Sequence, residues 1–336
     1  MSLQTIGDLA QSFALRRQSV ELTRQMDRLT LELSSGEAAD LSRHLSGNLF
    51  QISDIDRELA LLGTHRDTAR LASTDARLMQ TALSRVQDES AAIATSALTV
   101  GATEGQAPVV TLAAQAREAL GAIIGALNGD AAGRALFSGT LTDRAPLASA
   151  ESLLSGLRAA AAGATSVAEI NQRLDGFFED PAGGFATTIY RGGDTGLQPN
   201  DLGAGESVAL DIKANDPGLR SQIRQVALAA LLDDPALPLA QETRRDLARE
   251  VGERLLNGQN GVTRLRADLG SAESRIGQAE SRIAAETTAL RIARNDLVSV
   301  DVFETAGELE QVQFQLETLY TLTARAARLN LVNFLS

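Results

Sequence analysis

The chain has 336 residues, of which 44% are apolar and 22% charged, and its formal net charge is −12. That length holds two or three domains with real cores, and that composition excludes wholesale disorder. The acidic balance excludes nucleic acid as the main partner, because phosphate contacts need a basic face, and the lack of cysteine excludes disulfides, thiolate chemistry and Cys-ligated metals.

Aromatic residues make up 3% of the chain and there is no Trp. Large ligand pockets and base-stacking platforms are therefore poorly supplied. The apolar residues are mainly Ala, Leu, Ile and Val, which suits slender helices packed closely together. Every basic residue but Lys213 is Arg, so charge pairs here are Arg pairs with forked geometry.

The N-terminus, Met1-Ser2-Leu3-Gln4-Thr5-Ile6, has neither a basic region nor an apolar one, so no cleaved signal peptide is expected. No run of about 18 apolar residues is present, so no membrane insertion is expected. Leu15, Leu22 and Leu29 recur at seven-residue spacing, flanked by Met26 and Leu33, and predict a first helix. Ser34-Ser35-Gly36 ends it. A second helical run carries Leu45, Leu49, Ile52, Leu59, Leu62, Leu71, Leu78, Val86 and Ile93. From Asn48 to Leu98 it would be about 75 Å long at 1.5 Å per residue. The turn Gly101 to Pro108 separates it from a third helix with Val109, Leu112, Ala116, Leu120, Ile123 and Leu127.

From Phe137 to Pro217 the helical period fades. Asp180-Pro181-Ala182-Gly183-Gly184 and Arg191 to Gly196 are turn clusters. Ala186 to Tyr190 and Ser207 to Ile212 predict short strands, with helix between Ala148 and Phe178. This region reads as a small, separate α+β insert. Helix resumes at Asp216-Pro217, runs to Leu232, and restarts near Leu237.

The clearest pattern follows. Val262, Leu269, Ile276, Ile283, Leu290 and Leu297 recur every seven residues and form the candidate rod core. Three residues after each come Leu265, Ala272, Ala279, Glu286, Ala293 and Val300, where the alanines admit a close neighbour and Glu286 is the polar intrusion. A lone amphipathic helix on a globular core is the competing reading, and six heptads without a slip favour the coiled coil. A last series, Leu309, Val312, Leu316 and Leu319, ends in Leu329-Asn330-Leu331-Val332-Asn333-Phe334-Leu335, which is unusually apolar for a free tail. Helices at both ends cannot each bury a stripe alone. The expected fold is mainly α: a long antiparallel helical bundle or coiled-coil rod formed by the N- and C-terminal segments, with the central α+β insert.

The chemistry-bearing motifs are sparse. His44 and His65 fall in polar helical surroundings, so no metal site is expected. The Gly-rich stretch Gly192 to Gly205 lacks a phosphate-binding pattern and reads as a loop. Asp233-Asp234 and Glu179-Asp180 read as solvated turn charge, and Arg16-Arg17 and Arg244-Arg245 as solvated helix faces. No catalytic residue, cofactor or metal ligand is assigned, and no enzyme activity is expected.

Several segments resemble the flagellin superfamily. Met26-Asp27-Arg28-Leu29 through Leu33-Ser34-Ser35-Gly36 resembles its N-terminal "RLSSG" signature. Leu265-Arg266-Ala267-Asp268-Leu269-Gly270, Arg275-Ile276 and Ala293-Arg294-Asn295-Asp296-Leu297 resemble its C-terminal region, and Asp301 to Ala306 stands where the family has a kink between two helices. Gly133-Arg134-Ala135-Leu136-Phe137-Ser138-Gly139-Thr140 is similar to a "GRYLFSGT" segment of the branch of hook-associated protein 3, the hook–filament junction protein. Glu308 to Leu316 and Leu329 to Leu335 resemble that branch's last helix and ending. The stretch Ala38 to Gly47 departs from the family pattern, and Leu83 to Glu89 shares only Leu83, Arg85 and Val86 with a segment read by an immune receptor, so no such recognition is predicted.

The resemblance implies a non-enzymatic structural subunit of the bacterial flagellum. Its parts would be an N-terminal assembly helix (1–40, disordered in the monomer), two rod halves (41–136 and 217–301), the insert (137–216) and a C-terminal assembly helix (302–336). The subunit would leave the cytoplasm by type III export and act outside the cell. Its partners would be other copies of itself in a ring, a neighbouring hook-associated protein, flagellin and a cytoplasmic export chaperone. The candidate self-assembly residues are Ile6, Leu9, Phe13, Leu309, Val312, Leu316, Leu319 and Leu335, of which Ile6, Leu9, Phe13, Leu316, Leu319 and Leu335 are taken to lie on exposed apolar faces. A filament flagellin and a soluble coiled-coil signalling or scaffold protein are the alternatives.

Overall fold

The computed structural model describes residues 3–335, with side chains described at residue 10 and over 12–325. The chain runs through α1 (Leu3–Ser35), α2 (Leu41–His44), α3 (Phe50–Ala102), α4 (Ala107–Leu127), β1 (Asp130–Ala131), β2 (Arg134–Ala135), α5 (Ala150–Ala161), α6 (Val167–Phe178), a π-helical turn (Phe185–Ile189), β3 (Asn200–Gly203), β4 (Glu206–Val208), α7 (Pro217–Ala230), α8 (Gln241–Val298) and α9 (Val302–Leu335). The fold is mainly α, with two short antiparallel hairpins, β1–β2 and β3–β4. It divides into two compact units: a terminal unit of Met1–Gly63 with Ala284–Ser336, and a central unit of Thr64–Ile283.

In the terminal unit, α1 packs against α9. Gly36 closes α1 at φ +73°, a left-handed position that glycine takes without a Cβ penalty. Its N–H donates to Glu32 O at 2.8 Å. The next residues are sewn to the α8–α9 corner: Ala38 N–H donates to Val298 O at 2.8 Å and Val300 N–H donates to Gly36 O at 3.0 Å. Asp301 then caps α9, accepting from Phe303 N–H at 2.8 Å and Glu304 N–H at 3.1 Å. Because α1 ends and α9 begins at this joint, the two helices run back from it antiparallel.

In the central unit, residues 64–102 of α3 lie antiparallel to residues 241–283 of α8. The Gln80 side-chain amide donates to Arg266 O at 2.8 Å, Arg266 Nη1 donates to Gln87 Oε1 at 2.6 Å, and Arg249 Nη2 reaches Gly101 O at 3.2 Å. Small residues set the separation. A Cβ on Gly252 would lie 2.7 Å from Leu98 Cγ, and one on Gly218 would lie 3.2 Å from the Gly261 backbone. Helix α7 is enclosed almost all round, from Gln222 to Ala230. Even Arg224 is buried; Asp175 meets it at 2.8 Å, and desolvation lowers its affinity for the proton.

Two expectations are corrected. Ala186 to Tyr190 is not a strand: Phe185–Ile189 makes a π-helical turn, with Tyr190 N–H donating to Phe185 O at 2.8 Å. Packing overrides the β propensity of its Thr and Ile residues, because the turn buries both Phe185 and Ile189 and sets Phe185 5.2 Å from the Phe178 ring. Of the second expected strand, Ser207 to Ile212, only Ser207 and Val208 pair, within β4, since β3 is four residues long and offers no further partner. The α+β insert, 137–216, shares its core with the helices around it. Phe137, Leu153, Ile170, Phe178 and Ile212 join one continuous core with Leu83, Leu120, Val226, Val251 and Leu269 of α3, α4, α7 and α8.

Among the described residues one helix, α4, is long and apolar enough to cross a membrane. Its Val109, Leu112, Ala116, Leu120, Ile123 and Leu127 are all buried in the central core, which accounts for that composition.

Candidate assembly surface

The inner seam of the terminal pair is built from the seven-residue series at both ends of the chain. Leu22 and Leu29 of α1 and Val312, Leu316 and Leu319 of α9 are buried together, with Leu15, Met26 and Leu309 half-buried around them. Each fully covered side chain contributes about 1.5–3 kcal/mol. This corrects the expectation that Leu316 and Leu319 face outward. Each helix has a partner in its own chain, and its leucine stripe turns to that partner. Leu309 and Val312 belong to the same seam. Phe13 is outward, 64% exposed. Ile6, Leu9 and Leu335 lie outside the residues whose side chains are described.

The rod-core series divides between the units. Val262, Leu269, Ile276 and Ile283 are buried in the central unit, while Leu290 and Leu297 are half-buried in the terminal unit. Glu286 is exposed. In the terminal unit Arg294 of α8 donates to Asp56 at 2.9 Å and approaches Glu37 at 4.0 Å.

A buried carboxylate anchors the joint. Glu32 is 5% exposed; its carboxylate accepts from Arg28 Nη1 at 2.9 and 3.1 Å and from Ala39 N–H at 3.1 Å. An isolated buried charge would be costly, and here it is paired and bonded to the chain that leaves α1. The "RLSSG" resemblance therefore places Arg28 and Glu32 on the turn that positions the helix pair.

What the terminal unit exposes is aromatic. Phe303 is 91% exposed, Phe314 70% and Tyr320 58%, with Val20 and Leu31 also outward on α1. Sequence reasoning passed over these residues because it followed leucine series. The signal that could have found them is the eleven-residue step from Phe303 to Phe314, three helical turns on one face.

Other chemistry is thin. Among the described residues no group of three His, Asp or Glu side chains is placed to hold a metal. His65 packs beside Gly203. Asp234 is pushed up by burial, yet it accepts from Arg158 Nε at 2.7 Å and from Ala236 N–H at 3.0 Å, and these hold its carboxyl below the ordinary range. That pair ties α5 to the loop after α7 and touches no open site.

Residues 257–335 match the family described as the bacterial flagellin C-terminal helical region. The match begins before Val262 and spans α8 from Asn257 onward and the whole of α9. A solved structure of a flagellar hook-associated protein from Vibrio parahaemolyticus is similar at 15% identity, covering 72% of this chain and 94% of that one with a TM-score of 0.49. No curated protein matches the chain.

Proposed function

We propose that this chain is a non-enzymatic structural subunit of the bacterial flagellum, a flagellin-family protein that joins hook to filament. The observation that carries the reading is the flagellin C-terminal match over residues 257–335, which falls on the helix that pairs with α1 and turns aromatic side chains to solvent. Such residues left uncovered mark a surface that other subunits cover. The junction reading rather than the filament reading rests on the Gly133 to Thr140 segment. In the structure it forms a hairpin turn with Gly133 at φ +79° and a fully buried Phe137. On this reading the subunit leaves the cell by type III export, is held by a chaperone before export, and meets a hook-associated protein on one side and flagellin on the other.

A deletion strain tests this reading. It should still build hooks and secrete flagellin into the medium but carry no filaments, and gold-labelled antibody against the chain should decorate hook ends in the parent. Normal filaments in the deletion strain would refute the junction role. Label along the whole filament would favour a filament flagellin instead.

A further inference from the structure

The outer faces of α1 and α9 carry a second pair of heptad stripes, directly opposite the leucine seam. On α1, Phe13, Arg17, Val20, Arg24, Asp27 and Leu31 recur at steps of four, three, four, three and four. On α9, Phe303, Gly307, Glu310, Phe314, Glu317 and Thr321 follow the same steps. That spacing is the repeat of a coiled-coil seam. All twelve residues are exposed, and Gly307 has open space where a Cβ would point. Phe13, Val20, Leu31, Phe303 and Phe314 are 45% to 91% exposed, too much apolar surface on two helix faces to be left to water.

We propose that the occupant of each stripe is the other stripe on a second copy of this chain. Charge chooses the partner. The α1 stripe holds Arg17 and Arg24, and the α9 stripe holds Glu310 and Glu317. Neither arginine and neither glutamate has an ion-pair partner among the described residues. Set parallel in register, two α1 stripes would oppose Arg17 to Arg17 and Arg24 to Arg24, and two α9 stripes their glutamates. Set antiparallel, two α1 stripes pair Arg17 with Asp27 but leave Arg24 on Val20, and two α9 stripes leave both glutamates on Gly307 and Phe314, so the mixed pairing alone matches both arginines and both glutamates.

Register follows from the same residues. Placed antiparallel, Arg17 meets Glu317 and Arg24 meets Glu310. The same alignment sets Val20 against Phe314, Leu31 against Phe303 and Phe13 against Thr321, with Asp27 over Gly307. Each layer then joins a position of one heptad type to the other type, as antiparallel coiled coils do. Placed parallel with the charges paired, Val20 falls on Gln313, Phe314 on Glu21 and Leu31 on Ala324, and Phe13 and Phe303 meet only Ala306 and Ala10, so no large apolar side chain meets another. Charged residues inside a seam add little stability but fix partner and register. The contact is heterologous: α1 of one copy to α9 of the next, repeating on the outside the antiparallel pairing that each chain makes on the inside. It generates a ring or a helix according to whether the rotation closes.

The inference rests on the flagellar reading only in taking the chain to self-assemble, and its test does not use a flagellum. The chain has no cysteine, so Val20→Cys and Phe314→Cys each introduce one thiol into the full-length protein. The two variants, one carrying a size tag, are mixed and oxidised mildly. The mixed disulfide should exceed either homodimer. Adding Arg17→Glu and Arg24→Glu to the first chain should lower its yield about tenfold or more, and adding Glu310→Arg and Glu317→Arg to the second should restore it. Circular dichroism confirms that each variant is folded. Homodimers equal to the mixed species, no cross-link at all, or a reversal that charge exchange fails to rescue would each overturn the proposal. Label at hook ends in cells with a negative cross-linking result would keep the junction role and remove this contact.

Discussion

The two units use their aromatic residues in opposite ways. In the central unit Phe137, Phe177, Phe178, Phe185 and Tyr190 are all buried. In the terminal unit Phe13, Phe50, Phe303, Phe314 and Tyr320 are all exposed. The helices of both units pair antiparallel and both bury aliphatic seams, so helix formation does not explain the contrast. A unit that places large rings inside has a core closed on itself. A unit that closes with leucine and valine and spends its rings outside is half of a larger core. On the proposed reading the central unit is complete as a monomer, and the terminal unit is completed by neighbours.

This contrast can be broken at either end. Phe137→Ala, in the middle of the central core, should cost about 3–5 kcal/mol, read as a fall in the urea midpoint by circular dichroism. A change near zero would mean that the central unit is not the stability-bearing core. Glu32→Ala leaves Ala39 N–H and Arg28 without their shared acceptor in the terminal unit and should cost about 1–3 kcal/mol. Amide exchange should then quicken at residues 36–39 and along α1, while α4 and α7 keep their protection. Uniform loosening of both units would show that they are not separable.

Alkaline pH gives a smaller effect confined to the central unit. Burial, with Asp194, Asp216 and Asp211 nearby, pushes the Tyr190 hydroxyl up to about 12 from its ordinary 10.0. The folded state therefore keeps the proton after the unfolded chain has lost it. Stability should be flat below pH 10 and decline as pH rises from there toward about 12. A denaturation midpoint unchanged across that window would mean that Tyr190 is not enclosed. The smallest effect tests the outer stripe: Phe303→Ala with Phe314→Ala should change monomer stability by no more than about 0.5 kcal/mol. Phe303→Ala added to the chain that carries Phe314→Cys should weaken the mixed cross-link, and a large loss of monomer stability in the double alanine variant would mean that these rings already have a place within their own chain.

The inner seam was legible because its residues are uniformly apolar. Leu15, Leu22 and Leu29 stand out against charged neighbours, as do Leu309, Val312, Leu316 and Leu319. What the pattern could not convey is that these two series would satisfy each other inside one chain. An apolar stripe declares that it needs cover and does not say whose. The outer stripe was hidden for the opposite reason. A third of its positions are Arg17, Arg24, Glu310 and Glu317, which a search for apolar periodicity discards as solvated face. The π-helical turn was misread because Thr187, Thr188, Ile189 and Tyr190 have strand composition. Long-range packing on Phe178 decided the matter, and that contact is not a property of the local sequence.

The placement of two rings has a practical consequence. The chain has no Trp and two tyrosines, and each unit holds one: Tyr190 buried beside the Gly193 carbonyl that its hydroxyl meets at 2.8 Å, and Tyr320 exposed on α9. The native protein thus carries one intrinsic fluorophore in each half. Replacing either Tyr with Phe leaves an unlabelled optical reporter for the other half alone, one for a closed interior and one for a surface awaiting company. A quenching agent added to the solution would distinguish them without a dye, a tag or a further mutation.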